Sequence, residues 1–409
     1  KNLEGLSFKD LALKAPQYFF VEKNNAGKDD YEKGWKISEI FVDGAGGIKT
    51  HRDKFVYDFD RKNLEQKIRA FRDLSISDGV LQDTYGLKEN KTWKISDARK
   101  ALFSDKRWAE KFVQCMYKPF DVRHLYYSPD LIDRPRESIM SNMLKVEDNI
   151  ALLAMRQVAA DSPYTHFFAT RYVTDNRAFF SNRGIVNLYP LYLYEETAGV
   201  VNRKHNISTQ FLNFITDEMK YVLVQNGNGD LTSSIGVGDI FNYIYAVAQS
   251  SSYKKKYDAL LRDDFPRIPV TRNKQLFRYL VDMGGLLVLA DTYAVDEKKL
   301  DPFVIFTEEG SNLVERIDLW KDPQDRQSCR IYINENQYFA GVSEEVFETY
   351  VGGYKVCQRW LKDRLHRTLS KEEISDFCRL IKTLLFRSNI AEQLDLHVME
   401  SGGWVGAFE

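Results

Sequence analysis

A chain of 409 residues with 44% hydrophobic content can bury more than one lobe, since single cores stop growing near about 250–300 residues. Its 58 lysines and arginines against 59 aspartates and glutamates leave a formal charge of −1, which by itself argues against a nucleic-acid partner and hands the question to local charge distribution. Apolar runs such as Ile150–Met155 fall far short of the roughly 20 residues of a membrane span, and the four cysteines, with no CxxC pair, suit reduced thiols in a cytoplasm rather than a disulfide scaffold.

The chain starts at Lys1 with no apolar leader, so it reads as a segment of something longer, with any catalytic part upstream. Up to about residue 60, the runs QYFFVE, KISEIF and KFVYDF, split by Asn/Gly/Asp clusters, predict strands. Apolar residues at helical spacing then predict helices over Asn63–Arg72 and Asp97–Phe112. Between Val113 and Glu196 the segments NIALLAMRQVA, THFFATRYV and IVNLYPLYLY predict the sheet core, with Ile150–Met155 covered on both faces.

Composition shifts near residue 205. Ser208–Met219, Gly238–Asp264 with Asp239 as N-cap, and Asn273–Asp282 predict helices, and Phe265–Pro269 ends that run because its prolines resist helix. Strand-like alternation returns near 302–342 in FVIFT, SCRIYIN and QYFAG. Ser370 followed by Glu373 forms a capping box that launches a helix with Ile374, Phe377, Ile381 and Leu384 on one stripe. The glycine-rich tail SGGWVGAFE either frays or docks elsewhere. The expected fold is mixed α+β: a β-rich lobe over 1–204, including a short segment joining an upstream domain, and a mainly helical lobe over 205–409 with a small strand insertion near 302–342.

Few motifs point to chemistry. Gly44-Ala45-Gly46-Gly47-Ile48-Lys49-Thr50 is not a phosphate loop, because Ile48 stands where glycine must precede the lysine and the segment leads toward strand-like Lys54–Phe59. Asp161-Ser162-Pro163-Tyr164 approaches the tetrapeptide of amino-methyltransferases, but Ser162 breaks it, and it reads as a loop. Neither a nuclease core, a GxSxG elbow nor a Cys/His metal cluster is present, so neither an active site nor a metal is expected in this chain.

Cation-rich segments are more informative. In KPFDVRHLYYSPDLIDRPRESIMSNML (118–144), Asp121 and Arg123 read as an internal ion pair, Tyr126 and Tyr127 as core, and Arg134 and Arg136 as residues able to pair with guanine or clamp phosphate. Lys254 and Lys255, in a lysine run after a buried helix, either meet phosphates or are simply solvated. In VGGYKVCQRWLKDRLHRTLS (351–370), Gly352-Gly353 reads as a flexible approach to a basic stripe of Lys355, Arg359, Lys362 and Arg367, or to a solvated helix face, anchored by Tyr354 and Trp360.

The 118–144 block, the helical run DIFNYIYAVAQSSSYKKKYDALLRDDFPRIP (239–269) and the 351–370 block together resemble the C-terminal specificity region of fused, single-chain Type ISP restriction-modification enzymes. The GIKT loop is similar to the opening of target-recognition regions in adenine methyltransferase fusions; the resemblance carries over to Gly47, Ile48, Lys49, Thr50, Arg52 and Asp53, of which Lys49, Thr50 and Arg52 are expected to face DNA, with His51 where glycine is more usual. The resemblance implies a bacterial, cytoplasmic phage-defence protein. Its partners would be double-stranded DNA, an upstream methyltransferase using S-adenosylmethionine, and possible helicase and nuclease domains, with no cofactor in this chain. A protein-interaction scaffold with little DNA affinity is the competing expectation, and a free-standing enzyme would need a complete motif that is not found.

Overall fold

The computed structural model describes residues 27–408 apart from 146–147, 160–161, 198, 301–302, 308 and 324–328. QYFFVE and Asp161 therefore lie outside the described residues. Two four-stranded sheets form the middle of the first half. The first contains β1 (Ala45–Gly46), and the second contains β2 (Tyr57–Asp58), which leads into helix α1 (Arg61–Arg72). Strands β3 (Phe112–Lys118) and β4 (Asp121–Tyr126) follow, then the helical turn α2 (Glu137–Met140), β5 (Ala151–Met155), β6 (Phe167–Thr170), β7 (Val173–Thr174) and β8 (Val186–Pro190). One sheet has the order β1-β8-β5-β6 and is antiparallel throughout; the other has the order β2-β4-β3-β7, with β7 parallel to β3. Every residue of β5 is buried, as an unbroken apolar run in a central strand requires.

Beyond these sheets a hairpin of β9 (Tyr192–Thr197) and β10 (Val200–His205) pairs only with itself. The chain then becomes helical, with α3 (Thr209–Met219), α4 (Val237–Gln249) and α5 (Lys274–Asp291). Helices α4 and α5 cover the β6 edge, α4 through Tyr245, whose Oη accepts from Ala169 N at 3.1 Å, and Gln249, whose Nε2 donates to Phe167 O at 3.2 Å. Helix α5 runs past the predicted end at Asp282 because Gly284 lets the Asn242 carbonyl approach; a Cβ there would sit 1.9 Å from that oxygen. A smaller antiparallel sheet follows, in the order β11 (Ile305–Phe306), β14 (Tyr338–Val342), β13 (Cys329–Tyr332), β12 (Asp318–Lys321). The chain closes with α6 (Val356–Lys362) and the long α7 (Lys371–Glu400), capped by Ser370 and Glu373 as expected. The tail docks: Trp404 is buried against Tyr253 and donates from Nε1 to Ser252 Oγ at 2.6 Å.

Several local expectations give way. KISEIF is a strand only at Trp35–Lys36 and turns helical over Ile37–Ile40, where Ile37 and Ile40, three apart, drop into the core together. KFVYDF is likewise helical to Val56 before β2. The 97–112 prediction splits: a helix ends at Ser104, a 3₁₀ turn spans Trp108–Lys111, and Phe112 opens β3. The N-cap of α4 is Gly236 rather than Asp239, whose carboxylate sits one turn on and accepts from Gly236 N (2.8 Å) and Gly229 N (2.6 Å). The 238–264 run breaks at Ser250, which caps a second helix, Ser251–Lys256, by accepting from Tyr253 N at 3.0 Å.

Candidate nucleic-acid interface

The glycine-rich loop is a seam. Ala45 and Gly46 pair with β8, Gly47 N donates to Val186 O (3.0 Å), Ile48 bridges Thr174 and Asn176, and Lys49 forms an antiparallel bridge with Arg134. Gly47 is required there, because a Cβ would lie 2.6 Å from the backbone of Asn176. His51 adopts φ +59°, the left-handed conformation glycine takes more easily, so the substitution noted in sequence falls on a real constraint. The main consequence is long-range: two segments far apart in sequence place Lys49 and Arg134 side by side.

Thr50 and Arg52, counted among the DNA-facing set, point inward. Thr50 Oγ1 donates to the Asp53 carboxylate, while Arg52 donates from Nε to Leu131 O (2.8 Å) and lies 4.1 Å over the Trp93 ring, holding the loop from beneath. Arg134 is 59% exposed, with Asp133 at a loose 3.8 Å. Arg136 sits at φ +58° ahead of α2, and its Nε is buried with no hydrogen-bond partner.

Segment 43–54 lines two open grooves. One, of about 480 Å³, is walled by Lys49, Lys54, Asn176 and Arg177; the other, of about 660 Å³, by Gly44–Gly46, Arg136, Asn187 and Lys204. Arg177 and Arg183, missed in sequence, are exposed on the loop after β7, whose Ile185 lines the second groove. Their signal was the turn chemistry of Asp175-Asn176-Arg177 and Ser181-Asn182-Arg183-Gly184. Among the described residues, no carboxylate lies within ion-pair distance of Lys49, Lys54, Arg136, Arg177 or Arg183.

The C-terminal cations are spent internally. Lys355 pairs with Glu348, Arg359 with Asp363 at 2.6 Å, and Arg367 with Glu373 at 3.4 Å while stacking 4.0 Å from the Phe59 ring. Helix α6 ends at Lys362, which is exposed, so Arg367 does not continue its stripe. Gly352 and Gly353 are buried in left-handed turns packed on Phe179 and Phe180, a tight joint rather than a flexible approach. Lys255 is exposed, but Lys254 is half-buried and its pKa is lowered to about 8 by burial and by neighbouring Arg387. Elsewhere in the 118–144 block, Arg123 and Asp121 form the expected pair (3.0 and 2.6 Å), and Tyr126 and Tyr127 are core.

Beneath the loop, burial pushes the Asp175 carboxyl up to about 6, although it accepts from Arg177 N (2.7 Å) and Tyr57 Oη (2.9 Å). Its folded pKa lies above the unfolded value of about 3.9, so the stability contribution is full below about pH 4 and is lost as pH rises through 6. Asp175→Asn, which mimics the protonated form, should remove this dependence and leave the variant more stable than the wild type at pH 7 by on the order of 2 kcal/mol. Urea midpoints of both proteins from pH 4.5 to 7 check it: parallel curves exclude the assignment.

The described residues thus combine a mixed sheet-and-helix scaffold with cations that have no carboxylate partner along two open grooves, which Asp43, Asp53 and Glu195 also line. The chain belongs to the Type ISP C-terminal specificity domain family, whose pattern it matches over residues 39–392. No curated protein sequence matches it. Among the solved structures that share its fold are three complexes with DNA or a DNA substrate mimic. The DrdV–DNA complex matches with a TM-score of 0.70 and 17% identity over 96% of this chain and 40% of that one. The ATP-dependent Type ISP restriction-modification enzyme LlaBIII bound to DNA gives 0.62 and 18% over 90% and 24%. A nuclease-deletion mutant of the Type ISP enzyme LlaGI with a DNA substrate mimic gives 0.62 and 17% over 97% and 30%. The chain thus spans between about a quarter and two-fifths of those proteins. No helix among the described residues is long and apolar enough to cross a membrane.

Proposed function

We propose that this chain is the sequence-reading part of a restriction-modification enzyme: it grips double-stranded DNA and sets which adenine a methyltransferase on the same polypeptide modifies. The observation that carries the reading is the set of unpaired cations, Lys49, Arg136 and Arg177, along the two grooves, with Arg134 held loosely beside Lys49. Cations already neutralised by carboxylates gain less from a phosphate, so the grip falls to this set first, with Lys54, Arg183, Lys255 and Lys362 as auxiliaries. Lys355, Arg359 and Arg367 fall back to structural roles, as do Thr50, Arg52 and Lys254. That the three structures described above were solved with DNA or a DNA mimic supports the same reading. S-adenosylmethionine belongs, on this proposal, to the methyltransferase, any motor or nuclease to the remainder of the polypeptide, and the setting is the bacterial cytoplasm.

Titration of a fluorescent duplex with the chain at several salt concentrations tests the proposal. Affinity should fall steeply, log K declining by about 0.9 per log salt for each phosphate neutralised. A chain that binds no duplex at low salt would be the interaction scaffold instead.

A further inference from the structure

The β9–β10 hairpin is unusual in this fold. Its base is locked: Tyr192 and Tyr194 are buried, Tyr194 N donates to Asn142 Oδ1 (2.7 Å), and Asn142 Nδ2 donates to Ser138 O and Ile139 O (3.0 Å each) just beyond Arg136. Asn142 therefore ties the hairpin base to the segment just after Arg136, while Asn149 clasps Tyr192 (Nδ2 to Tyr192 O, 2.8 Å). Beyond Tyr194 the ribbon leaves the body, and the residues of β10 up to Lys204 are all exposed. Val200 and Val201, 60% and 51% exposed, sit at the tip next to Gly199 at φ +79°.

The register sorts the side chains. Leu193 opposes Lys204, Glu195 opposes Asn202 and Thr197 opposes Val200, and these six share one face because strand side chains alternate. Leu193, Glu195 and Lys204 line the same groove as Arg136, against Tyr194 alone from the opposite face, so this face is the one turned mainly to the groove. Level with the buried leucine lies the Lys204 ammonium, ion-paired with the exposed Glu195 carboxylate one rung up; beyond them the face carries the Asn202 carboxamide, the Thr197 hydroxyl and the exposed Val200. Those are the groups that read base edges: carboxamide to adenine N6/N7, ammonium to guanine, carboxylate to cytosine N4, and an apolar group to the thymine methyl.

Dimensions agree. Paired strands lie about 4.8 Å apart, so a two-stranded ribbon fits the major groove, about 12 Å wide and 8.5 Å deep. Three paired residues per strand beyond Tyr194 reach roughly 10 Å at about 3.3 Å per residue, enough to touch its floor. Unpaired Arg136 at the base, with Arg183 on the adjoining loop, supplies charge complementary to the flanking phosphates.

We propose that this hairpin enters the major groove and that Asn202, with Val200 beside it and Lys204 exchanging its exposed Glu195 partner for a base edge, sets the base preference of the chain. The proposal rests on the duplex-binding reading above and names the element that does the reading. Selection from a random duplex library should be run on the wild-type chain and on the Asn202→Ala/Lys204→Ala double variant. These side chains are exposed, so thermal unfolding should be unchanged. The wild type should enrich a motif, and the double variant should lose preference at one or two adjacent positions of it. At those positions, discrimination of about tenfold or more should fall to near unity. Bulk duplex affinity should fall by less than about threefold, since phosphate contacts dominate it. An unchanged motif in the variant would overturn the hairpin assignment while duplex recognition stands, and a wild type that binds no duplex would overturn both.

Discussion

Reversing Lys49 and Arg134 together, as Lys49→Glu/Arg134→Glu, should weaken duplex binding by about two orders of magnitude near 0.1 M salt and reduce the salt slope by about 2. The size follows from counterion release. Each phosphate contact contributes about 0.9 log units per tenfold dilution of salt, and reversal adds repulsion to the loss of attraction. The two residues bridge one another through backbone hydrogen bonds (Lys49 N to Arg134 O, 3.2 Å; Arg134 N to Lys49 O, 2.9 Å), so their side chains act on one stretch of backbone. Fold damage is not expected, since neither side chain is buried. Arg359→Ala is the matched control: its guanidinium already serves Asp363, and its removal should change affinity by less than about twofold. Salt-series titrations of the three proteins decide it. Equal losses in both variants would return the phosphate grip to the C-terminal helix.

Asp121→Ala should destabilise the chain by about 3–5 kcal/mol, because it strands two buried guanidiniums. The Asp121 carboxylate is 2% exposed and accepts from Arg123 and from Arg364 Nη2 at 3.1 Å. Arg123 also reaches Asp363 (2.7 Å) and Arg364 reaches Glu373 (3.2 Å), with Phe59 flanked by Arg123, Arg364 and Arg367. This network ties β4 in the sheet half to α6 and α7 at the other end of the sequence. Burial pushes the Asp121 carboxyl up, but Arg123 and Arg364 more than offset it and the net pKa is lowered. Its stabilisation is therefore present above about pH 4 and lost as pH falls below that. Urea unfolding at pH 7 measures the effect, and a loss under about 1 kcal/mol would mean the arginines find other partners. Arg359 and Arg367 join the same network through Asp363 and Glu373.

Much was legible in sequence wherever the cause was local. The Ser370/Glu373 box launched α7 because both groups lie within one turn of the orphan amides they satisfy. The unbroken apolar run 151–155 became the fully buried β5, and Asp121 and Arg123, two apart in a strand, lie on one face and pair. Arg359 with Asp363 was likewise readable as a helical i,i+4 pair. Short amphipathic runs such as KISEIF were not decidable, because a few residues satisfy either period and the choice fell to whichever packing buried Ile37 and Ile40.

Sequence alone determined the family, the mixed sheet-and-helix character and the cation-bearing blocks, because each is a property of neighbouring residues. Only the tertiary structure decided which cations are free and what they stand beside. Whether a lysine is neutralised depends on the carboxylates the fold brings within about 4 Å, and that distance is set by chain topology rather than by separation along the chain. Thus Lys49 meets Arg134 across a backbone bridge, Arg52 turns inward under Trp93, and Asn142 aims a solitary hairpin from the edge of the Arg136 groove.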